Sequence, residues 1–309
     1  MKRKEILVKS ALLILVICFC TISKSNATPR YQRVTDTIVT STQQQAIAFI
    51  DTIKELPPSK FWPNIKPTLF LQNLKTNIHK PVSIYPGNGT NFCGYAALSY
   101  LLLQDNPFGY AKLLLQLYRD GKTEYLNVNF DPSSPIKKVV GTLKFKGILD
   151  IHPADQMWFL TLADHFKGYL NFFDHKYDPG DEGRFWASVN YAKFNRMVRK
   201  LLHYKIQAKG ADLIRPGIGD LYQYINEKMK TGIVVLFINN RIVHKKNHTI
   251  KLGVPTHFIV VEKISKVNDV ITIVYWDYGG KTLLQISPAF LKRVVFGISY
   301  CTKNGTDAN

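Results

Sequence analysis

The chain has 309 residues, of which 46% are hydrophobic and 20% charged, and a formal net charge of +19. That length and apolar content allow a large core and argue against global disorder. The basic residues are dispersed, densest in KKNHTIK (Lys245 to Lys251), and accompany no nucleic-acid-binding motif, so the charge reads first as a generally solvated basic surface, with an anionic surface or wall polymer, rather than nucleic acid, as the partner it would suit.

The first elements concern targeting. Lys2, Arg3 and Lys4 precede the apolar run Ala11–Cys20, and Ser25-Asn26-Ala27 offers small residues at a cleavage position. This pattern predicts a signal peptide over residues 1–27 and an exported protein, periplasmic or secreted; an uncleaved signal acting as a membrane anchor is the alternative. No later stretch reaches transmembrane length, so no integral span is expected after signal removal. Cys18 and Cys20 lie in the signal, which leaves Cys93 and Cys301. Two cysteines make no disulfide framework: either they pair, or a thiol is kept for a purpose. Asn88, Asn247 and Asn304 fit the N-glycosylation pattern, which matters only in a eukaryotic secretory pathway.

Residues 28–85 form a lead-in, a candidate propeptide. Within it, apolar spacing predicts a helix from Thr42 to Leu56 that stops at Pro57-Pro58, followed by an irregular, proline-rich approach over 59–87. A tight GNGT loop, Gly87 to Thr90, leads into NFCGYAALSYLLL, a helix apolar almost all round and therefore buried, with Thr90 or Asn91 as its cap. A second helix should end near Gly121. Residues 122–153 suggest short strands, for example KKVVGTLKF, and helices are predicted over 154–168, 185–205 and 219–232. Strands follow over 233–240, 256–264 and 270–280, the last two as an antiparallel hairpin, then a short helix over 287–295 and a strand over 296–302. Helices first and an antiparallel sheet afterwards define an α+β fold. The main domain is read as 86–303, with a helical insertion at about 106–232 and a tail at 304–309.

Three residues carry the chemistry. A nucleophilic cysteine must attack as a thiolate, and the free N–H groups of a helix start favour negative charge. Cys93 stands at such a point, and Gly94 would let a substrate backbone approach. A thiolate needs a base partner, and His257 opens a strand with apolar neighbours; Asp277 ends the next strand, beside the start of the one before it, where a carboxylate orients an imidazole. Taken singly, each has a plainer reading: Cys93 as a small buried hydrophobe, His257 as a core histidine satisfied by its surroundings. The order Cys–His–carboxylate favours the catalytic reading. His165 and His175 lie near Asp164 and Asp174 but match no metal signature. The aromatic-rich middle, with Trp158, Phe159, Phe172, Phe173 and Trp186, reads as core or as the lining of a cleft.

The Cys-Gly pair opening a buried helix, the His at a strand start and the Asp in YWDYGG resemble papain-like cysteine peptidases, and within them the group related to double-glycine leader peptidases. The similar segments are about 85–105 and 233–300; residues 106–232 match no pattern of that family. The resemblance implies a papain-like fold with the Cys helix packed on the sheet. It implies hydrolysis of a peptide or amide bond in a peptide or protein substrate, with Cys93, His257 and Asp277 as the catalytic residues and with no metal or cofactor. Members of the family carry a Gln six residues before the Cys to help form the oxyanion hole; here that position is Gly87. Asn88 or Asn91 could supply the amide beside the Cys93 N–H, Asn88 being the better placed by spacing. The same triad order also serves transglutaminase-type acyl transfer and a cell-wall amidase, and a binding protein without catalysis could keep the fold.

Overall fold

A computed structural model describes residues 39–87, 89–142, 151–174, 177, 180, 182–240 and 254–303. All of them belong to one unit of the chain, Val34–Asn309. The expected signal peptide, Asn88, the other two glycosylation patterns, His175 and the basic KKNHTIK run lie outside the described residues.

Helix α1 (Gln43–Asp51) starts at a reciprocal cap, in which the Thr42 hydroxyl accepts from Gln45 N–H and the Gln45 side chain accepts from Thr42 N–H. It ends before the proline pair. Helix α2 (Pro67–His79) occupies the stretch expected to be irregular; Pro67 sits in its first turn, where a missing N–H costs nothing. Helix α3 (Cys93–Asp105) is buried on nearly every side. Asn106 separates it from α4 (Pro107–Asp120) and caps the latter through Gly109 N–H at 2.9 Å. Gly121, at φ 67°, closes α4 as predicted.

Strands β1 (Thr123–Tyr125) and β2 (Val128–Phe130) form a small hairpin. Of the expected strand KKVVGTLKF, Lys137 to Val139 end the helix α5 (Ser134–Val139), because Ser133 and Pro135 open a helix rather than a strand; Val140 is its C-cap and residues 143–145 lie outside the described residues. Helix α6 (Pro153–His165) follows, then the single turn α7 (Leu170–Phe173). The helix expected over 185–205 is in fact three pieces: a 3₁₀ turn (Phe185–Ala187), α8 (Tyr191–Leu202) capped by the Asn190 side chain, and strand β3 (Lys205–Gly210). The remaining elements are α9 (Leu221–Lys228), β4 (Ile233–Ile238), β5 (His257–Val267), β6 (Val270–Asp277), β7 (Gly280–Ile286), α10 (Pro288–Val294) and β8 (Val295–Thr302).

The C-terminal part is a six-stranded antiparallel sheet in the order β3-β8-β4-β5-β6-β7. The fold is therefore α+β, with a helical N-terminal region. Alternation along the strands sorts side chains to two cores. Phe237, Phe258, Val260 and Trp276 pack with the helical body, which includes α3. Leu236, Ile238, Ile259 and Ile273 face the other way, toward residues of α9 and α10. Burial of each such side chain contributes about 1.5–3 kcal/mol. Tyr100 on α3 stacks on Trp276 at 5.0 Å, which seats the Cys93 helix against the sheet. Among the described residues no helix is long and apolar enough to cross a membrane.

Candidate active site

Cys93 is the first residue of α3. Neither Thr90 nor Asn91 caps it: the cap position is Phe92, with no side-chain hydrogen bond. The first-turn N–H groups of a helix have no intrahelical acceptor, so the Cys93 N–H points outward from the helix start. Asn91 spends both amide protons on the Gly183 and Arg184 carbonyls, at 2.6 and 2.9 Å, and its N–H on Glu182 O at 2.8 Å. It is therefore not available as an oxyanion donor.

The two glycines beside Cys93 have structural duties. A Cβ on Gly94 would stand 2.7 Å from Val189, so this glycine admits Val189 of the helical body rather than a substrate. Gly87 has φ +89°, and a Cβ there would meet Ile151 at 2.5 Å. The backbone at the position where the resembled family has Gln accepts only glycine.

His257 and Asp277 come together through sheet parity. From Val267↔Val270 to Lys263↔Val274 the β5–β6 ladder is regular; it then shifts, so that Val261 faces Tyr275 and Val260 faces Trp276. Glu262 is the extra residue, a β-bulge. Paired residues share a face, and faces alternate along a strand. Without the bulge Asp277 would stand opposite Val260, on the helical side. With it, Asp277 falls on the face of Ile259 and His257. The Glu262 carboxylate is tied on both sides, accepting from the Tyr100 hydroxyl of α3 and pairing with Lys281 at 2.6 Å. A two-residue turn follows Asp277 at once: Tyr278 and Gly279 have φ 42° and 79°, and Asp277 pairs with Gly280.

The His257 Nε2 is bonded to Asp277 Oδ1, both side chains being buried. Nδ1 is then the nitrogen left to face the thiol; it is buried and has no hydrogen bond of ordinary geometry. The Cys93 S–H is turned instead to the Thr256 carbonyl at 3.6 Å, one residue before His257. Burial pulls the imidazole toward its neutral form. Asp277, bonded to the ring, and Cys93, close enough to act on its charge, outweigh that pull and leave the pKa raised to about 9. The structure thus brings Cys93, His257 and Asp277 to one place; Asn88 lies outside the described residues.

Tyr278 completes the site and was not singled out in the sequence. Its ring lies flat on His257, with centroids 4.3 Å apart and an angle of 11° between planes. Its hydroxyl accepts from Asn240 Nδ2 at 3.1 Å, and the Asn240 N–H donates to the Thr256 hydroxyl at 3.3 Å, which links the end of β4 to both neighbours of His257. The signal was present: an aromatic residue before two glycines, after a strand-end Asp, is an aromatic forced into a turn.

Cys301 is not a partner for Cys93, and both are free thiols. Cys301 pairs with Ile233 at one end of β4, while Ile238 at the other end pairs with His257. At about 3.3 Å per residue those ends are about 16 Å apart, too far for a disulfide. His165 packs edge-on to Phe166 and against Phe130, and among the described residues no group of three His, Cys, Asp or Glu side chains could hold a metal ion. Compared with models of known families, with curated proteins and with solved structures, the chain matches none.

Proposed function

We propose that this protein is an exported, papain-like cysteine hydrolase that cleaves a peptide or amide bond through Cys93, His257 and Asp277. The observation that carries the reading is the division of the two imidazole nitrogens: Nε2 is held by a buried carboxylate, and Nδ1 is left to a thiol at a helix start. In this mechanism the Cys93 proton passes to His257 Nδ1, and the sulfur attacks the carbonyl carbon. The oxyanion is met by the Cys93 N–H. His257 then gives its proton to the leaving amine, which departs as the thioester forms. Water, deprotonated by His257, releases the acid and restores the thiol. Asp277 keeps the ring oriented and favours its charged form throughout.

The test has two arms. Iodoacetamide should label Cys93 in the native protein faster than in the denatured chain, and a mixed peptide pool should yield new termini with wild-type protein but not with Cys93→Ala. Native labelling no faster than denatured, together with an intact pool, sinks the hydrolase and leaves a binding protein. New amide bonds to an added amine, in place of new acids, would turn the reading to acyl transfer.

A further inference from the structure

Trp158, Phe159 and Trp186 are core, but Phe172 and Phe173 are 78% and 72% exposed. A second apolar pair, Leu213 and Ile214, is 75% and 70% exposed. The pairs come from different segments, α7 and the link from β3 to α9, yet share one flank. Tyr169 stands at the start of α7, with its hydroxyl close enough to Asp212 and Asn190 to feel both. The Asp212 carboxylate also accepts from Tyr191 N–H at 2.8 Å, and Ala211 N–H closes a turn on Ile214 O at 2.8 Å. Both tips are therefore anchored at the start of α8.

The rim is basic. Lys167, Arg196 and Arg215 are exposed around these tips. Arg196 donates to the Lys167 carbonyl, and Arg215 is braced over the Phe296 ring at 4.2 Å. Among the described residues the nearby acids are engaged: Asp212 as described, Asp174 with Arg184 at 3.3 Å, and Asp164 with Lys167 at 3.5 Å, which leaves Arg196 and Arg215 as the rim's unneutralised charges. Exposed apolar tips inside a positive rim, on a chain of net charge +19, need a partner that is soft, apolar within and anionic outside. A protein would need a socket for each projecting side chain; lipid headgroups part around them.

We infer that this flank, with Phe172-Phe173 and Leu213-Ile214 as its two tips, docks the protein on an anionic lipid surface. Attachment is peripheral, with the side chains entering the interfacial zone and the Lys and Arg side chains meeting acidic headgroups. Phe185, 54% exposed, lies between this flank and Asn91, whose amide grips the Arg184 carbonyl. The docked flank therefore adjoins the loop that leads into Cys93.

The experiment is co-sedimentation of the full chain with vesicles of phosphatidylglycerol and phosphatidylcholine, and with phosphatidylcholine alone, combined with hydrogen exchange on the bound protein. Binding is expected on the anionic vesicles and should weaken steeply with salt. Phe172→Ser with Phe173→Ser, and separately Leu213→Ser with Ile214→Ser, should each weaken it about tenfold or more, with the melting temperature unchanged. Exchange should slow over 170–173 and 211–214. No binding to anionic vesicles, undiminished binding in either double variant, or binding without protection of those segments overturns the inference. So does a self-association that either double variant abolishes while vesicle binding persists, since a second copy would then be what covers the flank.

Discussion

Two regions of this molecule bury a free thiol, and they differ in nearly everything else. At the end of β4 and β5, Cys93 sits at a helix start beside a histidine whose far nitrogen is fixed by a carboxylate. At the other end of β4, Cys301 lies within a strand, flanked in the sheet by Ile206 and Ile233, with its S–H turned to Ser299 O at 3.7 Å. Burial pushes the Cys301 thiol up to about 12, with Arg199 only partly opposing. Low exposure is common to both. What separates a candidate nucleophile from an inert core residue is the neighbour that can take and hold a proton.

The contrast breaks most sharply with single substitutions at the two sulfurs. Cys93→Ala should lower hydrolysis of a responsive peptide by roughly 10⁴-fold or more. Cys301→Ala should leave the rate near wild type and cost about 1–2 kcal/mol in chemical denaturation, since it opens a small cavity in the core. Equal losses of rate in both variants would abolish the distinction.

Next in size is Asp277→Asn, expected to lower kcat by roughly 10²–10⁴-fold. Its diagnostic effect is on pH. With burial opposing, Asp277 and Cys93 hold His257 protonated up to about 9, so activity should fall as pH rises through that value. Without the carboxylate, burial dominates and the alkaline limb should move down. The stability linked to the raised pKa is complete below the ordinary value of 6.5 and lost as pH rises through about 9, and thermal melts from pH 6 to 10 should flatten in the variant. An unmoved limb would show that Asp277 does not set the charge of His257.

Gly87→Gln sharpens the comparison from the backbone side, by restoring the residue type that the resembled family carries. The positive φ and the Ile151 contact predict destabilisation of roughly 2–4 kcal/mol and no gain in rate. A stable, faster variant would mean that the loop can reshape into the family's oxyanion hole. The smallest effect is expected for Tyr278→Gly, which keeps the turn but removes the ring from His257. A rate loss of roughly 3- to 10-fold, with a modest downward shift of the alkaline limb as water reaches the imidazole, should be absent in Tyr278→Phe. A shift of the same size in Tyr278→Phe would assign the effect to the hydroxyl and Asn240 rather than to the stack.

Much of this site was legible because its parts announce themselves locally. An apolar helix behind a glycine turn, and two strongly β-forming runs around a short polar link, define α3 and the β5–β6 hairpin without tertiary information. Adjacency of strand ends then put His257 near Asp277. The face they share was not legible, because parity depends on Glu262, an ordinary polar residue in a strand whose bulge appears only when β6 is laid beside it. Strands β3 and β7 escaped for a related reason: both lie at sheet edges and are largely solvent-exposed, so their side chains carry little apolar pattern. Helix α2 was hidden by prolines that break a helix interior but suit a first turn. Phe172 and Phe173 read as core or as the lining of a cleft from composition alone, which cannot tell a buried ring from one presented to the surroundings.

The parity that puts His257 and Asp277 on one face gives the site an arithmetic vulnerability. Substitutions along β5 act through packing and can be absorbed by degrees, but a change in residue count acts through odd and even. Deleting Glu262 itself would only close the bulge and leave Ile259 opposite Asp277, but deleting one residue between His257 and Val261 would move His257 to the face opposite Asp277. Lineages of this chain should therefore tolerate conservative apolar exchanges along the buried start of this strand better than any insertion or deletion between His257 and Val261.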